Sequence, residues 1–175
     1  MSPDAPSTLC LVGLRCVGKT TLGRRLAEHL SLPFVDLDDE LEPDRAGPAR
    51  SAGECLQDLG EEGFRDLESA ALGRVLKEEG ARVVATGGGV VLRAANRELL
   101  RTRARCLWLH APAEQLVLRA ASDATVRPAL STDPPLEEWR AMEEERGEFY
   151  AEVSAARIDA SGDQDEVLAL LLAGI

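Results

Sequence analysis

Residues 13–21 read GLRCVGKTT, two glycines with four residues between them followed by Lys-Thr, and they stand between the apolar run Leu9–Val12 and a segment with helical spacing. That pattern builds a phosphate-binding loop. Its glycines let the backbone turn N–H groups toward a β-phosphate, and a helix starting near Lys19 adds the positive end of its dipole. Lys19 supplies a compact charge to the β- and γ-phosphates, and Thr20 offers a hydroxyl to Mg²⁺. Of the 20 basic residues only Lys19 and Lys77 are lysines, so a lysine at this position stands out.

Three further groups of residues have types and places suited to phosphoryl transfer. Asp36-Leu37-Asp38-Asp39-Glu40 follows a short apolar run. Carboxylates crowded beside phosphates are costly unless a cation or a hydroxyl substrate uses them. Alternation along an extended strand end would set Asp36 and Asp38 on one side. Asp36 would then hold magnesium through water and Asp38 would accept a hydrogen bond from an attacking hydroxyl. The competing reading is that these carboxylates cap the next helix. Thr86-Gly87-Gly88-Gly89 follows another apolar run, and three glycines allow close backbone approach with N–H groups facing a ligand; a tight turn is the alternative. Arg65, Arg127 and Arg146 occur in motif-like settings, but composition alone does not select among the arginines, most of which belong on a solvated surface.

These residues need a scaffold that brings them together. Buried-strand patterns occur at Thr8–Val12, Pro33–Asp36, Arg82–Thr86, Arg105–His110 and Ala155–Asp159, and helical spacing at about 20–30, 61–79, 93–103, 112–121, 134–151 and 163–172. The alternation predicts an α/β fold with a five-stranded parallel sheet covered by helices on both faces, whose ligands sit beyond the C-terminal ends of the strands. Two stretches interrupt it. The Pro/Gly/Ala-rich segment 42–53 leads into a short helical segment and reads as a flap (about 37–60 with its flanks), and 122–135, with Arg127-Pro128 and Pro134-Pro135, reads as a lid. Residues 1–7 are expected to be disordered.

At 175 residues the chain is expected to form one domain, 1–175. The 31 acidic against 20 basic residues give a charge of −11, which argues against nucleic acid as a partner. Four scattered cysteines show neither metal-type pairing nor a disulfide framework, so a reducing, cytoplasmic setting is expected. No apolar run is long enough to span a membrane, and no signal peptide is expected at the N-terminus.

Taken in order, GLRCVGKTTLGRRLA, FVDLDDELE, GEEGFRDLE, TGGGVV, TVRPAL and RGEFY resemble the shikimate kinases and cover most of the chain between Leu9 and Tyr150. The resemblance implies a P-loop kinase of three-layer architecture, a monomer, transferring the γ-phosphoryl of ATP to the 3-hydroxyl of shikimate, in the route to aromatic amino acids. It implies magnesium held by Thr20 and Asp36. It implies ATP and ADP bound by Gly13, Cys16, Val17, Gly18, Lys19, Thr20, Thr21, Arg119 and Arg127, with shikimate bound by Asp38, Arg65, Gly87, Gly88, Gly89 and Arg146. Lys19, Asp38 and the lid arginine Arg127 are the catalytic set it implies. A paired guanidinium clamp suits a planar carboxylate.

The chain departs from the family pattern at Ala52, Leu56 and Ala129, and it lacks a late arginine within Ala160-Ser161-Gly162-Asp163. These positions bear on the pocket wall and the adenine side. Two other readings stay open at this level: another small-molecule kinase, of gluconate or nucleoside-monophosphate type, and a non-catalytic nucleotide-binding regulator. Cys16 in the phosphate loop, near a helix N-terminus and Lys19, is a candidate for thiolate reactivity that bound ATP would suppress.

Overall fold

In the computed structural model, which describes residues 8–41, 52–122 and 135–175, five strands form one parallel sheet in the order β2-β3-β1-β4-β5. The strands are β1 (Thr8–Val12), β2 (Phe34–Asp36), β3 (Val83–Ala85), β4 (Ala104–His110) and β5 (Ser154–Asp159). Six helices alternate with them: α1 (Lys19–Leu30), α2 (Ala52–Val75), α3 (Ala94–Arg103), α4 (Ala113–Ser122), α5 (Pro135–Val153) and α6 (Gln164–Ala173). Short 3₁₀ turns follow β2 (Leu37–Glu40) and the glycines after β3 (Val90–Leu92). The expected flap segment 42–51 and lid segment 123–134, with Arg127 and Ala129, lie outside the described residues, as do residues 1–7.

The central strands are apolar without alternation because helices cover both faces: Leu9 to Val12 of β1 and Val83 to Ala85 of β3 are all buried. α1 shows why the phosphate loop ends where it does. Gly18 adopts φ 101° just before Lys19 opens the helix, and Ser31, at φ 54°, closes it with its N–H donating to the Ala27 and Glu28 carbonyls. One stripe of α1, Leu22, Leu26 and Ala27, is buried. Gly23 lets the helix approach β2, because a Cβ there would stand 2.7 Å from the Phe34 ring.

Two differences from the sequence reading have local causes. The short helical segment expected in the flap and the helix expected from about residue 61 run on as one element that begins at Ala52 and is broken at Gly60, whose φ of 69° and ψ of 178° are not helical. The residues after β2 do not continue as an extended strand. They coil into a 3₁₀ turn capped by Asp36, whose carboxylate accepts the Asp38 N–H at 3.2 Å.

Candidate active site

Strand register brings the predicted residues together. Asp36 pairs with Ala85, Ala85 with Leu11, and Leu11 with Leu107, forming one row across the sheet. Two residues further along each strand stand Asp38, Gly87, Gly13 and Leu109. Parallel strands carry all their C-terminal ends to the same edge, so these loops share one rim. A cavity of about 330 Å³ opens there, lined by Arg15, Cys16, Gly18, Lys19, Thr20, Thr21, Asp36, Asp38, Thr86, Gly87, Gly88, Arg119 and Ser122.

The phosphate loop is built around its lysine. Lys19 is 8% exposed, and its ammonium donates to the carbonyls of Gly13 (2.8 Å) and Leu14 (2.7 Å). Gly13 cannot be replaced without disruption: its φ is 140°, and a Cβ would collide with the Leu109 backbone carbonyl of β4. Cys16 also takes a left-handed conformation, at φ 59°. Arg15 turns toward α5, pairing with Glu138 and lying 4.7 Å from the centre of the Trp139 ring.

Thr20 and Asp36, separated by 16 residues, meet at 2.7 Å, the hydroxyl donating to the carboxylate. The capping reading of Asp36 is observed, since one oxygen caps the 3₁₀ turn, while the other oxygen faces Thr20 of the phosphate loop. The described residues contain no cluster of three or more His, Cys, Asp or Glu side chains able to hold a metal. One hydroxyl and one carboxylate beside a phosphate loop fit magnesium, which keeps waters and takes substrate oxygens instead of a protein cage.

The second half of the site is a wall made by Gly87–Gly89. Its carbonyls are all engaged: Gly87 accepts from Val90 N–H, Gly88 from the Tyr150 hydroxyl at 2.5 Å, and Gly89 from Leu92 N–H. Side chains crowd the place where Cβ atoms would be. At Gly89 a Cβ would fall on the Arg65 guanidinium, and at Gly87 on the Glu68 carboxylate, with Asp38 Oδ1 at 3.4 Å. Arg65 donates to Glu68 at 2.9 Å and lies 3.6 Å from Glu61. Arg146, 8% exposed, donates to Glu145 at 3.1 Å and acts electrostatically on Tyr150 and Glu68.

This wall holds stored polarity. Glu68 is 1% exposed, and burial raises its pKa above the usual carboxylate range, partly opposed by Arg65. Its Oε1 and the Arg65 Nε have no hydrogen-bond partner among the described residues, which is the condition of a site built to receive polar atoms from a ligand. Burial likewise raises the pKa of Tyr150, so its hydroxyl stays a neutral donor.

The sequence-selected residues Asp38, Arg65, Gly87, Gly88, Gly89 and Arg146 thus gather around one wall, and Cys16, Gly18, Lys19, Thr20 and Thr21 around the adjoining loop. Val17 and Arg119 line a second cavity of about 480 Å³ continuous with the first through Cys16, Gly18 and Thr21, and bounded by Gly162 and Asp163. There Arg119 donates to the Ala160 carbonyl at 2.8 Å and to Val17 at 3.5 Å. Glu68, Tyr150 and Arg15 were not singled out from the sequence. The first two lie three residues after Arg65 and four after Arg146, the spacing that puts helix side chains on one face, and that is the signal that finds them.

A family model described as shikimate kinase matches residues 15–174. A shikimate kinase from Rhodopirellula baltica is 41% identical over 171 residues, covering 95% of this chain and 89% of that protein. One from Symbiobacterium thermophilum is 42% identical over 166 residues, covering 93% of each. Among solved structures, the shikimate kinase from Acinetobacter baumannii in complex with shikimate superposes with a TM-score of 0.82 at 32% identity, covering 96% of this chain and 94% of that one.

Proposed function

The chain belongs to the shikimate kinase family, and we propose that it moves the γ-phosphoryl group of ATP onto the 3-hydroxyl of shikimate, releasing shikimate 3-phosphate and ADP. The observation that carries this reading is the union of a complete phosphate loop with a glycine wall against which two nearly buried arginines, Arg65 and Arg146, converge. A small carboxylic acid with several hydroxyls matches that wall, since a guanidinium grips a carboxylate in two places.

Each residue then has a task. Arg65 and Arg146 bind the acid's carboxylate, with Glu68 holding Arg65 in place. Asp38, beside Gly87, accepts a hydrogen bond from the attacking hydroxyl and takes its proton as the bond to phosphorus forms. The N–H groups of the phosphate loop and Lys19 hold the β- and γ-phosphates, so nucleophile and phosphorus meet in line. Thr20 and Asp36 would hold Mg²⁺, which when bound neutralises charge on the phosphate oxygens. Val17 and Arg119 belong to the nucleoside side of the site, and Arg127 is assigned to the phosphates in the closed lid.

An ADP-release assay with ATP and Mg²⁺ and each of shikimate, gluconate and a nucleoside monophosphate tests the reading. Turnover with shikimate alone, with the phosphate located on the 3-hydroxyl by NMR, is expected. Turnover with gluconate would favour the other small-molecule kinase, and ATP binding without turnover on any acceptor would favour a regulator.

A further inference from the structure

Arg97, on the first turn of α3, contacts neither cavity, yet its guanidinium joins the two parts that grip the acid. Nη1 donates to the carbonyls of Val91 (2.8 Å) and Leu92 (3.2 Å), in the turn that follows the glycine wall. Nε donates to Glu152 of α5 at 2.8 Å, and the guanidinium carbon lies 4.2 Å from the centre of the Phe149 ring. The neighbouring Asn96 fixes the same turn from below, donating to the Val90 carbonyl at 3.0 Å while itself buried. The turn in turn fixes the wall, because Val90 and Leu92 donate to Gly87 and Gly89.

On the other side, Arg146, Phe149 and Glu152 follow one another at intervals of three along α5, and Tyr150 reaches across to the Gly88 carbonyl. Arg97 thus holds one end of the ridge that begins with Arg146, and Arg101, 3.7 Å from Glu152, adds a weaker, more exposed second cation. With its side chain 15% exposed, Arg97 is withdrawn from most of the water that weakens a surface pair. Only a planar fork can donate in two directions while stacking on a ring; an ammonium would have to choose.

We propose that Arg97 is a positioning residue for the acid substrate: it sets the distance between the Gly87–Gly89 wall and α5, and so places Arg146 and Tyr150 without touching either ligand. The proposal rests on the shikimate reading above. It predicts damage confined to the acid side of the reaction, since the phosphate loop leaves β1 by separate contacts.

The test uses the full chain, with kcat and both KM values measured for wild type, Arg97→Met, Arg97→Lys, Arg146→Lys and the Arg97→Met/Arg146→Lys pair. Arg97→Met is expected to raise the shikimate KM about tenfold or more while the ATP KM stays within about twofold. Arg97→Lys should recover part of the loss. In the Arg146→Lys background the same change should cost less than about threefold, because the two act on one contact. Equal weakening of ATP and shikimate, an unchanged shikimate KM, or full multiplication of the two effects would overturn the proposal. Should Arg97→Met fail to fold, Glu152→Gln removes the charge on the α5 side only and is expected to give the same one-sided KM rise; no rise overturns the proposal. Failure of the wild type to use shikimate overturns the substrate reading itself, a result distinct from normal wild-type turnover with indifferent Arg97 variants.

Discussion

A single methyl group at Gly89 separates folding from binding in this molecule. Gly89 sits at φ −98° and ψ 0°, a conformation open to alanine, so the backbone does not resist the change. The added Cβ would fall on Nη1, Cζ and Nη2 of Arg65. The guanidinium is the far end of a flexible side chain and can move aside, and the chain should fold. It cannot then hold its place at the wall. Loss of a charge-assisted contact of this kind costs about 1.5–3 kcal/mol, or about 10- to 140-fold in the shikimate KM.

Initial rates of ADP release measure this directly, with shikimate varied at saturating MgATP and then ATP varied at saturating shikimate. The ATP KM should stay within about twofold, because the phosphate loop is held by its own contacts. Gly73→Ala is the control: it lies within α2 with nothing within 4 Å of the added Cβ. It should leave both KM values alone and raise Tm by about 2–4 °C, from the roughly 1 kcal/mol by which alanine exceeds glycine in a helix. A folded Gly89→Ala enzyme with an unchanged shikimate KM would refute the placement of Arg65 against the wall, and an equal loss toward ATP would refute the separation of the two halves.

Lys19→Met should lower kcat by at least about a thousandfold, checked at saturating concentrations of both substrates after confirming the fold by circular dichroism. Iodoacetamide should inactivate the enzyme and ATP should protect it, because Cys16 is the partly exposed cysteine while Cys10, Cys55 and Cys106 are buried; loss of activity with Cys16 unmodified by mass spectrometry would refute this, and Cys16→Gly, relieved of its left-handed strain, should be active and insensitive. Glu68→Gln should change the pH profile of stability. Because folding raises the Glu68 pKa, its contribution is fully present below its unfolded value of about 4.3 and is lost as pH rises through the folded value. Urea melts should therefore show the glutamine variant gaining on the wild type from about pH 4 upward, and the opposite trend would refute the burial of a carboxylate whose desolvation Arg65 only partly offsets.

The alternation of apolar runs with helical spacing sufficed for the sheet because a parallel strand covered on both faces has no polar face to obscure it, and Leu9–Val12 of β1 and all of β3 are buried. The ends of elements were less legible. α2 starts at Ala52 and runs through what the sequence presents as two helical segments, and Gly60 breaks it without ending it. Asp36 illustrates the same limit at the site: an aspartate ahead of a helical turn reads as a cap, one beside a phosphate loop as a metal residue, and the structure shows the cap together with a 2.7 Å approach to Thr20.

Residues assigned to the ligands were readable because phosphate and carboxylate chemistry restricts side-chain choice: few residues besides lysine fit a phosphate loop, and arginine is the residue that grips a carboxylate in two places. Residues that hold those residues carry no such restriction. Helical spacing from Arg65 and Arg146 is all that points to Glu68 and Tyr150 in the sequence, and nothing marks Arg97 until its partners are located in space. Arg97 is the extreme case, since its partners are two backbone carbonyls, which any sequence supplies, and two side chains more than 50 positions away. Precision in such a site resides in contacts of this kind: a displacement of about 1 Å in a substrate-gripping group is enough to lose two orders of magnitude in rate, and the distance from wall to clamp is set by side chains that the substrate never meets.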